Sequence, residues 1–327
     1  MESKYSSRYR LADDARLFDR ISNGDEDGPQ TLLFHGDCME ALAVTPSESV
    51  HLVISSPPYF LGKEYEEDIF ATFDEYLEFM RGVLIQCERV LKPGGSICWQ
   101  VGMRKLGEQW FEPLTYAFSP IFTELGLRMK NEIIWQFGHG LHFSKRLSGR
   151  HEYIMWYTKG EDYLFNLDPI RVPQKYPNKR HFKGEKKGQL SGNPLGKSPG
   201  DVWEIPNVKS AHREKTEHPC QFPIEIPDRC IKMCTNEDDL VFDPFAGAGT
   251  TVCASLLTGR RCIGAELRKD YVDIAMGRLR QVTEGTLPVR ESFKPIKTYG
   301  KGGRDVGEER EEATDAGPEK QTERTDG

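Results

Sequence analysis

The chain has 327 residues, enough for one large α/β domain or two smaller ones, and its 37% hydrophobic content can fill a substantial core. No stretch approaches the roughly 20 apolar residues of a membrane span, and the first residues, Met1-Glu2-Ser3-Lys4-Tyr5, carry no apolar signal core, so a cytoplasmic protein off the membrane is expected. The net charge of −7 argues against a polyanion partner only on average: residues 171–215 hold eleven Lys and Arg against four Asp and Glu, while residues 301–327 hold five against nine.

In chain order, residues 1–30 are polar without a clear period and read as an arm or capping segment. Thr31 to Phe34 is a short strand, and His51 to Ser55 an apolar run ending at Pro57-Pro58, as suits a buried parallel strand. Phe73, Tyr76, Leu77, Met80, Leu84 and Val90 share one helix face, and Lys92-Pro93-Gly94-Gly95 stops that helix before a strand over Ser96 to Val101. A helix over Pro113 to Leu125 follows. Strands over Glu132 to Phe137 and Glu152 to Tyr157 then form a hairpin across a basic loop. Residues 168–215, rich in Pro, Gly, Lys and Asn, show no long element.

Regularity returns with a helix over Pro223 to Cys234 and a strand over Leu240 to Phe242. A helix over Thr250 to Leu257, a strand over Arg261 to Glu266 and a helix over Lys269 to Gln281 complete the pattern. Alternating strands and helices predict an α/β fold with a doubly wound, mostly parallel sheet, an antiparallel hairpin and an irregular basic insertion. The tail beyond about residue 295 is charged, poor in apolar residues and expected to be disordered.

The eight cysteines lack paired Cys-x-x-Cys spacing. Cys230 and Cys234 stand one helical turn apart, but buried free thiols are the simpler reading, and no metal site is expected.

Two segments carry chemistry. Asp243-Pro244-Phe245-Ala246-Gly247-Ala248-Gly249-Thr250 lies between a strand and a helix. Its glycines allow close ligand approach, and the helix start offers free N–H groups. Val252 stands where a dinucleotide fingerprint needs its third glycine, and no Gly-Lys-Thr is present, so neither a pyrophosphate turn nor a P-loop fits. Glu266 ends the next strand, where a carboxylate can accept hydrogen bonds from ribose hydroxyls.

Ser56-Pro57-Pro58-Tyr59 follows the buried strand directly. Two prolines remove two N–H donors, Ser56 supplies an acceptor and Tyr59 an aromatic face. Such a loop can hold an aromatic amine and draw its lone pair out of the ring, a catalysis of position and electrostatics. Taken singly, a Pro-Pro-Tyr is more often a rigid turn.

Together the two segments resemble the DNA amino-methyltransferases, in which a Pro-Pro-Tyr loop is catalytic and an Asp-Pro-Phe-x-Gly-x-Gly-Thr turn binds S-adenosyl-L-methionine. The catalytic loop comes first, as in the circularly permuted β group. Gly36-Asp37-Cys38, Leu91 to Gly95, His151-Glu152, His218-Pro219 and Phe222-Pro223 resemble further segments of that group, and the resemblance spans residues 31–281. It implies that Asp243, Phe245, Gly247, Gly249 and Thr250 hold the methionine and sugar end of the cofactor. It also implies that Glu266 takes the ribose, Asp37 the adenine amine, and His218 and Phe222 the methionine pocket. Ser56, Pro57, Pro58 and Tyr59 are then the catalytic loop around a flipped base.

The resemblance divides the chain into an arm (1–30), a catalytic half (31–167), a basic target-recognition insertion (168–215), a cofactor half (216–285) and a charged tail (286–327). Base flipping needs extensive phosphate contacts, and Lys145, Arg146, Arg150, Lys175, Lys179, Arg180, Lys183, Lys186 and Lys187 are the candidates on double-stranded DNA. Ser at position 56 resembles the cytosine-N4 enzymes, whereas adenine-N6 enzymes usually carry Asp or Asn there. The expectation is therefore a site-specific cytosine-N4 methyltransferase protecting DNA from a partner restriction endonuclease. Alternatives are adenine-N6 methylation, methylation of a protein glutamine or RNA amine, and a silent DNA-binding relative. The oligomeric state is left open.

Overall fold

The computed structural model describes residues 8–12, 14–61, 69–106, 110–138, 144–209 and 212–291. The tail beyond 291 lies outside them.

The element order is β1 (Tyr9–Leu11), α1 (Arg16–Asn23), β2 (Thr31–His35), α2 (Cys38–Val44), β3 (Val50–Ser55), α3 (Phe73–Val90), β4 (Leu91–Val101), β5 (Met103–Lys105), β6 (Phe111–Pro113), α4 (Thr115–Glu124), β7 (Arg128–Gln136), β8 (His151–Thr158), a 3-10 turn (Asp168–Ile170), β9 (Val202–Glu204), α5 (Glu225–Cys234), β10 (Leu240–Asp243), α6 (Thr250–Leu257), β11 (Arg261–Glu266) and α7 (Lys269–Glu284). Among the described residues, nine strands form one sheet in the order β1-β2-β11-β10-β3-β4-β8-β7-β9, and β5 pairs with β6. Pairing from β1 through β4 is parallel; β8 is antiparallel to both β4 and β7.

The strands are apolar on both faces because helices cover both. Phe242, Val53, Trp99 and Ile263 face a core with α1 to α4, while Val241, Leu52, Cys98 and Cys262 face a second core with α5, α6 and α7. This period of two within uninterrupted apolar runs is the signature of a buried parallel sheet. From β10 the chain winds one way to β11, and from β3 the other way to β4. The border between β3 and β10 is therefore the switch point, where open α/β sheets form a crevice at their strand C-termini.

Four expectations need correction. The polar arm is part of the sheet domain over residues 9–23: β1 adds an edge strand to β2, and α1 buries Leu17, Phe18 and Ile21. Three apolar residues per eight-residue helix are too few to show a period among so many charges. The insertion ends earlier than residue 215, since β9 pairs with β7 and buries Trp203, followed by buried Ile205 and Val208. A three-residue strand leaves no alternation to read. The tail begins later than residue 286: Arg290 pairs with Glu225 at 2.9 Å, its N–H donates to Glu214, and Leu287 and Val289 pack on the second core. Finally, Lys92 to Gly95 is not a plain stop. The helix ends at Val90 and the segment bulges within β4, with Gly94 at φ 79° where a Cβ would lie 2.5 Å from the Asp162 carbonyl.

Candidate functional site

The crevice at the β3/β10 border is a cavity of about 670 Å³. Both chemical segments reach it, because parallel pairing of β3 and β10 brings their C-terminal ends together.

The cofactor turn is built from beneath. Asp243, fully buried at the end of β10, does not line the cavity. Its Oδ1 accepts from Ser55 Oγ at 2.5 Å and from the Phe245 N–H at 3.0 Å, and its Oδ2 lies buried beside Thr251. Burial pushes this carboxyl up to about 6, against the pull of those hydrogen bonds. Asp243, expected on the ligand, lies beneath the cavity wall instead and fixes the turn above it.

Gly247 lines the cavity at φ 52°, with its N–H donating to Glu266 Oε2 at 2.8 Å; a Cβ there would stand 3.1 Å from His218 Nε2. Gly249 does not line it. As the left-handed cap of α6 it meets α7, where a Cβ would lie 2.6 Å from that of Ala275. Thr250 lines the wall, and its Oγ1 accepts from buried Arg278 at 3.1 Å.

Glu266 ends β11 in the wall; its other oxygen accepts from the Arg268 N–H at 2.8 Å, and burial raises its carboxyl. Asp37 lines the cavity while capping α2 through the Met39 N–H at 2.8 Å. His218 packs against Tyr271 with ring centroids 4.3 Å apart and planes inclined at 57°, and burial holds its imidazole down at about 4, so the ring is neutral. Phe222 and Phe245 add apolar wall; Phe245 meets Trp99 edge-on at 6.2 Å.

Opposite them is the Pro-Pro loop. Pro57 is buried, and the Pro58 carbonyl accepts from Tyr76 Oη at 2.7 Å, so α3 clamps the loop. Phe60 follows at φ 55°, a costly conformation for an aromatic residue, held by Phe73 and Tyr76. Ser56 Oγ lies 3.2 Å from Tyr59 Oη, which donates to Glu152 Oε2 at 3.2 Å.

Gln100 was not singled out in the sequence, and His151-Glu152 was named only for its resemblance to a segment of the family, without a chemical role. Gln100 is the penultimate residue of β4, and its amide N–H donates to Glu152. Glu152 is the second residue of β8 and borders the cavity while sitting deep among protein atoms, and burial pushes its carboxyl up to about 7. Gly102 makes room for the pair: a Cβ there would lie 3.0 Å from the Tyr59 ring and 3.5 Å from the Glu152 carboxyl carbon. A polar residue near the end of an otherwise apolar buried strand was the available signal for Gln100.

The nine basic candidates are exposed, and none lines the cavity. Arg146 covers the Phe111 ring at 4.0 Å, and Arg150 contacts the Gly138 carbonyl at 3.5 Å. Arg180 is tied to the Gly188 carbonyl at 2.5 Å, while Phe182 beside it is 91% exposed. Among the described residues no cluster could hold a metal ion, and no helix is long and apolar enough to cross a membrane.

The cavity fits a nucleoside-bearing sulfonium. Two wall carboxylates, Glu266 and Asp37, offer acceptors for hydroxyl and amine groups, Gly247 leaves space no side chain could, and aromatic rings surround the middle.

The chain is 46% identical over 266 residues to type II methyltransferase M.BglII of Bacillus subtilis, covering 81% of this chain and 72% of that one. It is 30% identical to the DNA adenine methyltransferase YhdJ of Escherichia coli K12, covering 76% and 82%. The structure of TTHA0409, a DNA modification methylase of Thermus thermophilus complexed with S-adenosyl-L-methionine, superposes with a TM-score of 0.56 at 30% identity, covering 77% and 94%. Residues 50–277, which run from the start of β3 into α7 and include both the Pro-Pro loop and the Gly-rich turn, match the N6_N4_Mtase profile, and the chain belongs to that family of DNA methylases.

Proposed function

We propose that this DNA methyltransferase moves a methyl group from S-adenosyl-L-methionine to the N4 amine of a cytosine flipped out of double-stranded DNA. The observation that carries the reading is the convergence of Ser56 to Tyr59 and the Asp243 to Thr250 turn on one cavity, joined by the Ser55–Asp243 hydrogen bond. Bound there, the cofactor supplies an electrophilic methyl group on a sulfonium.

The protein's own contribution is placement. Gly247, Thr250, Phe245, His218 and Phe222 shape the methionine side, and Glu266 and Asp37 accept hydrogen bonds from ribose and adenine. The neutral His218 adds no positive charge beside the sulfonium. Ser56 and the loop backbone accept the amine N–H bonds, and Tyr59 bounds the base. Cytosine is favoured over adenine by the hydroxyl at Ser56, the residue type of cytosine-N4 enzymes. The exposed lysines and arginine of 175–187, with Lys145, Arg146 and Arg150, supply phosphate contacts that offset the few kcal/mol of unstacking. The similarity to a type II methyltransferase supports a role in protecting DNA from a partner restriction endonuclease.

The test is methylation of mixed-sequence DNA with labelled S-adenosyl-L-methionine, followed by digestion to nucleosides. Label on N4-methylcytosine is expected. Label on N6-methyladenine would reassign the base while keeping the enzyme class.

A further inference from the structure

Amine methylation leaves a proton to be removed, and the cavity contains a hydrogen-bonded route for it. Resting on the amine-methylation reading above, we propose that Ser56, Tyr59 and Glu152 form a proton relay that carries the amine proton from the reacting nitrogen to the Glu152 carboxylate.

The chain has two links, Ser56 Oγ to Tyr59 Oη at 3.2 Å and Tyr59 Oη to Glu152 Oε2 at 3.2 Å. Its polarity follows from its end. A carboxylate only accepts, so Tyr59 donates to Glu152. The Tyr59 oxygen then accepts from the Ser56 hydroxyl, and the Ser56 lone pairs are left to accept the amine N–H. Both links are long for hydroxyl bonds, and catalytic hydrogen bonds commonly shorten once a substrate is held.

The atoms balance. The nitrogen lone pair forms the N–C bond, the methyl carbon's bond to sulfur breaks, and its electron pair stays on sulfur. One amine proton passes to Ser56 Oγ as the Ser56 proton passes to Tyr59 and the Tyr59 proton to Glu152. The products are a neutral secondary amine and a protonated Glu152, which later returns its proton to solvent.

Two features suit Glu152 to this end. The Gln100 amide holds it in place, and Gly102 leaves the gap through which it reaches Tyr59. Burial places its carboxyl at about 7, where it can both take and release a proton near neutral pH. The groups facing it are Tyr59 from the loop after β3 and neutral Gln100 from β4, with Cys220 facing Tyr59 from the segment before α5. Burial and the Glu152 charge both hold the Tyr59 phenol protonated, so it hands protons on and does not ionise.

Single-turnover methylation of DNA is measured from pH 5.5 to 8.5 for the wild type, Glu152→Gln, Tyr59→Phe and the double variant, with cofactor affinity by calorimetry. The wild-type rate is expected to rise with pH through about 7, because the relay needs the carboxylate form. Each single variant is expected to lose at least about tenfold, a modest share of what acid–base catalysis supplies, and to show a flat profile. The double variant is expected to match the singles, since the residues act as one unit. Cofactor affinity is expected to stay within about twofold. A Glu152→Gln enzyme with normal rate and an unchanged pH profile overturns the relay and leaves the methyltransferase reading standing. If that variant folds poorly, a Tyr59→Phe enzyme that keeps the pH-dependent rise overturns it equally. A wild-type protein that labels no DNA amine removes both.

Discussion

Ser55 Oγ donates to Asp243 Oδ1 across 2.5 Å, joining the ends of two adjacent strands from residues 188 positions apart in the sequence. Both groups are fully buried, so the bond ties the strand leading into the Pro-Pro loop to the Gly-rich turn. Removing either partner strands the other. Asp243→Ala is expected to cost about 1.5–3 kcal/mol in urea unfolding, the range for hydrogen bonds to charged groups. Ser55→Ala is expected to cost less, and the double variant less than the sum. A double-mutant cycle showing additive losses would dissolve the coupling.

The two glycines of the turn serve different ends. Gly249→Ala is expected to lower thermal stability, because a methyl group 2.6 Å from the Ala275 Cβ pushes α7 off α6. Gly247→Ala meets a side-chain nitrogen at 3.1 Å and lines the cavity, so it is expected to weaken cofactor binding more than stability. Calorimetric titration and a thermal melt on both variants check this; reversed effects would refute the division.

His218 gives a pH signature. Its folded value, about 4, lies below the ordinary 6.5, so the unfolded chain binds this proton more readily. Stability from this group is full above about pH 6.5 and declines as pH falls toward 4. The ring signals of His218 are expected not to titrate between pH 5.5 and 8 by NMR. His218→Gln is expected to narrow the stability difference between pH 7 and pH 5.

The basic segment is separable from the chemistry. Neutralising Lys183, Lys186 and Lys187 is expected to weaken DNA binding and flatten its salt dependence, by about 0.9 in the log–log slope for each phosphate that these lysines no longer neutralise. Cofactor affinity should not change, since none of the three lines the cavity. Unchanged salt dependence would take the segment off the DNA.

Long regular elements were legible in the sequence because their periods repeat. The helices over Thr250–Leu257 and Phe73–Val90 and the strand over Arg261–Glu266 stand within a residue of expectation. The α/β class followed from their alternation. Short elements were not legible: β1, β9 and α2 contain too few residues for a period, and pairing partners elsewhere in the chain hold them. At the site, the motif residues clustered as expected, but their depth did not show. Asp243 and Asp37 are both acids just past a short apolar strand in the sequence, yet one is beneath the cavity floor and the other in its wall. Glu152 was hidden differently, since its meaning depends on the register that sets β8 beside β4 and across from a loop almost a hundred residues away.

The strand order also bears on how the molecule is assembled. β10 and β11 lie between β2 and β3, although both are made after every other strand. Without them, β1-β2 and β3-β4-β8-β7-β9 share no strand pairing among the described residues. The cofactor turn belongs to the wedge that joins them. Completing the sheet and completing the cavity therefore depend on the same late segment of the chain and on contacts of high sequence separation. A ligand that binds only the closed form acts as a latch on the whole fold.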